Sequence, residues 1–178
     1  MIQHLHVITG GPGSGKTALV TALAQAGLRV MPEAGRAIIQ ANGTIGSDAL
    51  PWADRAAFAE AMLVWEMRSH REGCDSPRPV VFDRGVPDVI GYLTLCGLAV
   101  PGHVRRAAEA FRYNRRVFIA PHWPEIFTQD AERRQSADEA AATCHAMERA
   151  YEDLGYELVA LPLAPVEERV AFVGARIG

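Results

Sequence analysis

The chain has 178 residues, 49% of them apolar and 22% charged, with a net charge of −3. That length suits one domain with a sizeable core, and the charge excludes the basic footprint of a protein built to hold DNA, RNA or an anionic membrane. No apolar run is long enough to span a bilayer and Met1 leads straight into strand-like sequence, so a cytoplasmic protein is expected.

In chain order, Ile2 to Ile8 reads as a first strand, followed by a glycine-rich turn and a helix from Ala18 to Ala26 that Gly27 stops. Leu28 to Pro32 is a short second strand ending at Glu33. Asn42 to Leu50, rich in Gly, Thr and Ser, reads as a loop, and Pro51 as the start of a long helix reaching about His70. Phe58, Met62 and Trp65 share one face of it. Pro79 to Phe82 is a third strand ending at Asp83-Arg84-Gly85. Pro87 opens a helix that Gly97 stops, and Pro101 opens the next, with Val104, Ala108 and Phe111 in phase. Arg116 to Ala120 is a fourth strand. Ser136 and Glu139 form a capping-box pattern for a helix with Ala140, Cys144, Met147, Tyr151 and Leu154 inward. Tyr156 to Leu161 is a fifth strand, and Pro165 to about Arg176 a last helix. Strands alternating with helices predict a parallel sheet covered on both faces, an α/β fold in one domain spanning 1–178. Cys74, Cys96 and Cys144 are odd in number and lack metal-ligand spacing, so they read as reduced core thiols.

The most informative stretch is Gly10-Gly11-Pro12-Gly13-Ser14-Gly15-Lys16-Thr17, the G-x-x-x-x-G-K-[ST] phosphate-binding pattern, with Ala18 continuing into the helix. Lys16 is the one lysine among eighteen Lys and Arg residues. A compact ammonium on a flexible stem lies along β- and γ-phosphate oxygens where a broad guanidinium would not fit. The glycines turn successive N–H groups inward, and the helix N-terminus faces the same anion. ATP with Mg²⁺ is the expected ligand, the Thr17 hydroxyl being placed to ligate the metal.

In a parallel sheet, chemistry collects at the carboxyl ends of the strands. Val80-Val81-Phe82-Asp83 is an apolar strand ending in a carboxylate, which either holds Mg²⁺ or caps the next helix. Arg84 either clamps phosphate oxygens or makes a surface ion pair. Glu33 is the candidate base or acceptor ligand, its alternative being a first-turn helix acid. Arg36, one turn on, either holds an anionic acceptor or orients Glu33. Arg133 and Arg134 lie on a polar segment, about residues 122–136, that reads as a lid over the transferring phosphate or as a solvated charge run. Trp52 and Trp123 either stack on a planar acceptor or pack at a rim. His4 and His6 read as structural, being away from the strand's carboxyl end. With one lysine, already in the phosphate loop, the chain lacks the N-K-x-D guanine reader, and Arg84 stands where an AAA+ motor usually carries a second acid.

These residues resemble a known family. The phosphate loop, Pro32-Glu33-Ala34-x-Arg36, Asp83-Arg84-Gly85-x-Pro87-Asp88, the arginine pair and Gly155-Tyr156 look like the NadR/Ttd14-type AAA_28 P-loop proteins, relatives of nucleoside and nucleotide kinases. The resemblance implies a five-stranded parallel sheet in the order 2-3-1-4-5 and an ATP- and Mg-dependent small-molecule kinase with a nucleoside-like acceptor. It also implies Glu33 as base or acceptor ligand, Asp83 with Arg84 at metal and phosphates, and Arg133 or Arg134 reaching the donor. Asp88 would face the acceptor, and the adenine would lie near Pro162 to Val166. Some such proteins are NTP-binding regulators, so a slowly hydrolysing switch is the competing expectation.

Overall fold

The computed structural model describes residues 1–126 and 137–177, with the side chain of Ala137 left aside. The chain runs β1 (Leu5–Gly10), α1 (Lys16–Gln25), β2 (Arg29–Met31), α2 (Ala34–Ile45), α3 (Arg55–Cys74), β3 (Val80–Asp83), α4 (Val86–Leu95) and α5 (Gly102–Ala110). It continues through β4 (Arg116–Ala120), a single 3₁₀ turn at Pro124–Ile126, α6 (Ala137–Asp153), β5 (Glu157–Ala160) and α7 (Val166–Ile177). The five strands form one parallel sheet in the order β2-β3-β1-β4-β5, as the resemblance implies.

Alternation along the strands divides the core between the two faces. Leu5 and Val7 of β1, Val80 and Phe82 of β3 and Val117 of β4 pack with apolar residues of α3, α4, α5 and α6. Ile8, Val81 and Phe118 point the other way, against Leu19, Val20 and Leu23 of α1 and Val173 of α7. Each such side chain contributes about 1.5–3 kcal/mol on burial, so a one-residue slip of any central strand would reverse a large driving force.

Several boundaries depart from the sequence reading. β1 starts at Leu5 rather than Ile2 and continues to Gly10, because Ile8, Thr9 and Gly10 pair with Phe118, Ile119 and Ala120 of β4. The stretch read as a loop from Asn42 is helical through Ile45, and α2 ends at Gly46 in the left-handed region (φ 68°). Pro51 lies in a turn, and α3 begins four residues later, where the Asp54 carboxylate accepts the Ala57 N–H at 2.9 Å. A capping acid outcompetes proline as the start signal because it satisfies an otherwise orphaned donor. The three cysteines are free, but only Cys144 is buried; Cys74 is exposed at the end of α3. The expected capping box involves Ser136, which lies outside the described residues.

The register sets the working edge. Ile8 aligns with Asp83 and Met31 with Phe82, so the loop after β1, Glu33 after β2 and Asp83 at the end of β3 emerge side by side. Sequence places these residues far apart. The sheet brings them to one edge.

Candidate active site

The residues between β1 and α1 fold into a glycine-rich loop whose carbonyls take hydrogen bonds from side chains. Gly15 caps α1 with φ 74°, a conformation that strains any side chain with a Cβ. Helix α6 approaches so closely that a Cβ at Gly11 would sit 2.4 Å from the Ala140 carbonyl oxygen. Ser14 Oγ donates to the Gly11 carbonyl at 2.8 Å, and Lys16 Nζ donates to the same carbonyl and, at 3.3 Å, to Ser14 Oγ. Burial, with Arg84 adding to it, lowers the Lys16 pKa to about 8, opposed by Asp83, Glu33 and Asp88. Thr17 and Ala18, in the first turn of α1, are exposed and line the same concavity. Behind the loop, the Arg169 guanidinium of α7 donates to the Ser14 carbonyl at 3.0 Å and lies 5.8 Å from the Trp123 ring centre.

The opposite wall is made by side chains. Arg84 adopts φ 76°, the one non-glycine residue in the left-handed region among those described. Such a backbone costs on the order of 1–3 kcal/mol and persists where its surroundings fix it. Arg84 Nε donates to Glu33 Oε1 at 3.1 Å and Nη1 to Asp88 Oδ1 at 3.0 Å. Asp88 also accepts from Thr9 Oγ1, from the Gly85 N–H at 2.9 Å and from the Tyr151 hydroxyl at 2.7 Å. The acid expected to face an acceptor is therefore the hub that fixes Arg84, with both carboxylate oxygens engaged. Burial alone would raise Glu33, but Arg84, then Lys16 and Arg36, outweigh it and hold that carboxyl below its ordinary range. Burial alone would lower Arg84; Glu33, Asp88 and Asp83 outweigh it, so the guanidinium stays charged.

Asp83 differs from Asp88. It is 7% exposed, and among the described residues its buried Oδ1 has no hydrogen-bond partner. Burial, reinforced by Glu33, raises its pKa against the pull of Lys16 and Arg84. A desolvated oxygen without a donor suits a water or cation beside the phosphate loop. Among the described residues no three acidic, histidine or cysteine side chains are grouped to hold a metal by themselves. Thr17 and Asp83 fit Mg²⁺ in the manner of an ion that takes much of its coordination from phosphates and water.

One cavity of about 1080 Å³ runs along both walls. Its lining includes the loop from Pro12 to Ala18 together with Asp83, Glu33, Arg84 and Asp88. Phe58, Met62, Val89, Tyr92, Ile39 and Leu95 give the same cavity an apolar lining, with Phe58, Met62, Tyr92 and Ile39 packed in one cluster, and Trp52, 69% exposed, also lines it. Arg36 is exposed and also lines the cavity. Gly10 belongs to β1 itself. Arg133, Arg134 and the expected lid from residue 127 to 136 lie outside the described residues. His6 is buried in β1, where burial, then Arg116 and His4, lowers its pKa to about 4.

Four contributors were not singled out in the sequence. Thr9 looked like an ordinary strand residue, and Tyr151 was read as apolar core although its hydroxyl reaches Asp88. Arg169 was one of many helix arginines. Glu66 left a usable signal: it follows Phe58 and Met62 at four-residue steps, a charged residue in phase with a buried stripe.

Among solved structures, the fold matches a deoxyadenosine kinase from M. mycoides with a TM-score of 0.66 and 10% identity, over 97% of this chain and 98% of that one. A thymidylate kinase from Ehrlichia chaffeensis matches with a TM-score of 0.62 and 12% identity, over 99% of both chains. A NadR protein in complex with NR matches with a TM-score of 0.71 and 16% identity; 98% of this chain covers 50% of that longer one. At these identities the likeness shows the shared fold. No curated protein sequence matches the chain. The family model AAA_28, an AAA domain, matches residues 5–169, and the chain belongs to that family.

Proposed function

We propose that this protein is an ATP- and Mg²⁺-dependent phosphotransferase that moves a phosphoryl group from ATP to a hydroxyl of a small, nucleoside-like molecule. The observation that carries this reading is the continuity of the cavity. A phosphate loop needs only one ligand, yet the same cavity of about 1080 Å³ is also lined by Glu33, Arg84 and the apolar Phe58, Met62, Val89 and Tyr92, a surface suited to a second. The kinase folds that match the chain, named for deoxyadenosine and thymidylate, support a small-molecule acceptor of this kind.

In the proposed reaction the loop N–H groups and Lys16 hold the β- and γ-phosphates, and Thr17 and Asp83 hold the magnesium. The ion supplies charge neutralisation on the phosphate oxygens. Arg84, braced by Glu33 and Asp88, lends a fixed positive charge toward the transferring group. Glu33 accepts the hydrogen bond of the incoming hydroxyl and aims its oxygen in line with the leaving phosphate. Its lowered pKa makes it a weak base, which suits a loose transition state in which the hydroxyl proton leaves late.

The test is a panel of nucleosides, sugars and vitamins, assayed for phosphate transfer from radiolabelled ATP with Mg²⁺. Transfer to at least one nucleoside-like compound, faster than ATP hydrolysis without it, is expected. If no compound accepts phosphate and ATP is only hydrolysed slowly, the protein is a nucleotide switch instead.

A further inference from the structure

Glu66 stands apart from the other acids of the cavity. It lies on α3, two helical steps beyond Phe58 and one beyond Met62, and it lines the same cavity. It is only 4% exposed, and the nearby Arg84 guanidinium gives its hydrogen bonds to Glu33 and Asp88 instead. A buried carboxyl group that borders a ligand-sized space is placed to meet the polar edge of a ligand.

The charges around it fix the form it takes. Asp88 from α4, Asp83 from the end of β3 and Glu33 before α2 all disfavour a further negative charge here. Arg84 opposes them but is already bonded to Glu33 and Asp88. The Tyr113 hydroxyl, after α5, lies within electrostatic reach and accepts the Val86 N–H. Burial, first, and these carboxylates, next, keep Glu66 protonated well above the usual range. A carboxylic acid presents an O–H donor beside a carbonyl acceptor on one planar edge.

The apolar lining supplies the rest of the chemistry. Phe58 and Tyr92 meet edge to face at 5.5 Å between ring centres, and Met62 and Val89 border the same space. Such walls favour a flat ring over a polyhydroxylated sugar. We propose that Glu66 reads the acceptor: as a neutral carboxylic acid it pairs with the edge of a flat, uncharged ring that carries an N–H donor next to an acceptor atom, as in an uncharged nucleobase. Glu66 then sets which acceptor binds and touches none of the reacting atoms. The inference rests on the acceptor reading of this cavity.

The probes are adenosine, cytidine, guanosine, thymidine and one permanently cationic pyridinium riboside. Each is titrated by calorimetry with Mg²⁺ and a non-hydrolysable ATP analogue present, and assayed for phosphate transfer with ATP. At least one neutral nucleoside is expected to bind and to accept phosphate. Glu66→Gln, which keeps a donor beside an acceptor, should hold that nucleoside within about 3-fold of the wild-type affinity. Glu66→Leu should weaken it by about 10–100-fold, the value of one to two lost hydrogen bonds, with the loss in KM rather than kcat. Binding of the ATP analogue alone should be equal in all three proteins, which also reports that the leucine variant is folded. Equal nucleoside affinity in Glu66→Leu and wild type overturns the role of Glu66 and leaves the kinase reading standing. Preference for the cationic riboside, with Glu66→Gln losing as much as Glu66→Leu, overturns the neutral-acid assignment. If no probe binds or is phosphorylated by the wild type, the proposed nucleobase specificity falls; if the wider panel also yields no acceptor, the kinase reading falls with it.

Discussion

The two parts of the cavity lining are built in different ways. The phosphate part is main chain: glycine turns, the first turn of α1 and one ammonium folded into the loop. The wall facing it is side chain: Arg84 bridges Glu33 and Asp88, and Asp88 takes further bonds from Thr9, Gly85 and Tyr151. Backbone donors are fixed by a few consecutive residues and tolerate little change at any of them. A side-chain network gathers its members from β1, the turn after β3, α4, α6 and the turn before α2, and its redundancy spreads the loss of one member over the others.

If that contrast is right, the largest single effect comes from Lys16, the charged side chain whose ammonium is folded into the phosphate loop. Lys16→Ala should leave the fold intact and weaken ATP binding by on the order of 10²–10⁴-fold, the value of two charge-assisted hydrogen bonds. Calorimetry gives the affinity. Because Lys16 is the one lysine, an amine-reactive reagent followed by mass spectrometry adds a second reading: MgATP should protect that side chain and leave the N-terminus reactive. Unchanged ATP affinity in the alanine variant would sink the phosphate-loop assignment.

Glu33→Gln probes the other half at its most exposed member. ATP binding should be nearly unchanged, while phosphate transfer to the acceptor falls by roughly 10²–10⁴, the range of a lost general base or hydroxyl ligand. A parallel fall in ATP affinity would mean that Glu33 serves the donor through Arg84 rather than the acceptor.

Asp83→Asn sits where the two halves meet. Its unpartnered buried oxygen predicts that the substitution raises the Mg²⁺ concentration needed for half-maximal activity, by about tenfold or more, while metal-free ATP affinity shifts less. Magnesium titrations at fixed ATP measure both. Tight Mg²⁺ binding to the nucleotide-free protein would contradict a site that takes its remaining ligands from phosphate.

The same contrast explains what could be seen in advance. A main-chain site writes its demands into consecutive positions, so Gly10 through Thr17 announced themselves, and the alternation of apolar strands and helices announced the sheet. Glu33, Asp83 and Arg84 were legible because each follows a strand end, where position alone is informative. Asp88 was placed at the right edge, but its engagement as a hub was not legible: Thr9 and Tyr151, 79 and 63 residues away, supply partners that local sequence cannot announce. Glu66 was hidden by the usual assumption that a charged helix residue faces water. The start of α3 was misplaced because Pro51 is a strong signal, whereas Asp54 makes the hydrogen bond that opens the helix.

The smallest effect should come from Tyr151→Phe, and its smallness is the point. The substitution removes one of four donors to Asp88 without changing the ring that packs against Tyr156 at 5.3 Å between centres. Asp88 keeps Thr9, Arg84 and the Gly85 N–H, and Arg84 keeps its bond to Glu33. A redundant network should therefore lose about 1–2 kcal/mol of stability, one buried hydrogen bond, and only a few-fold in transfer rate. Denaturant unfolding gives the first number and steady-state kinetics the second. A loss of rate as large as that of Glu33→Gln would show that the wall depends on every member, as the phosphate loop does, and the distinction between the two halves would collapse.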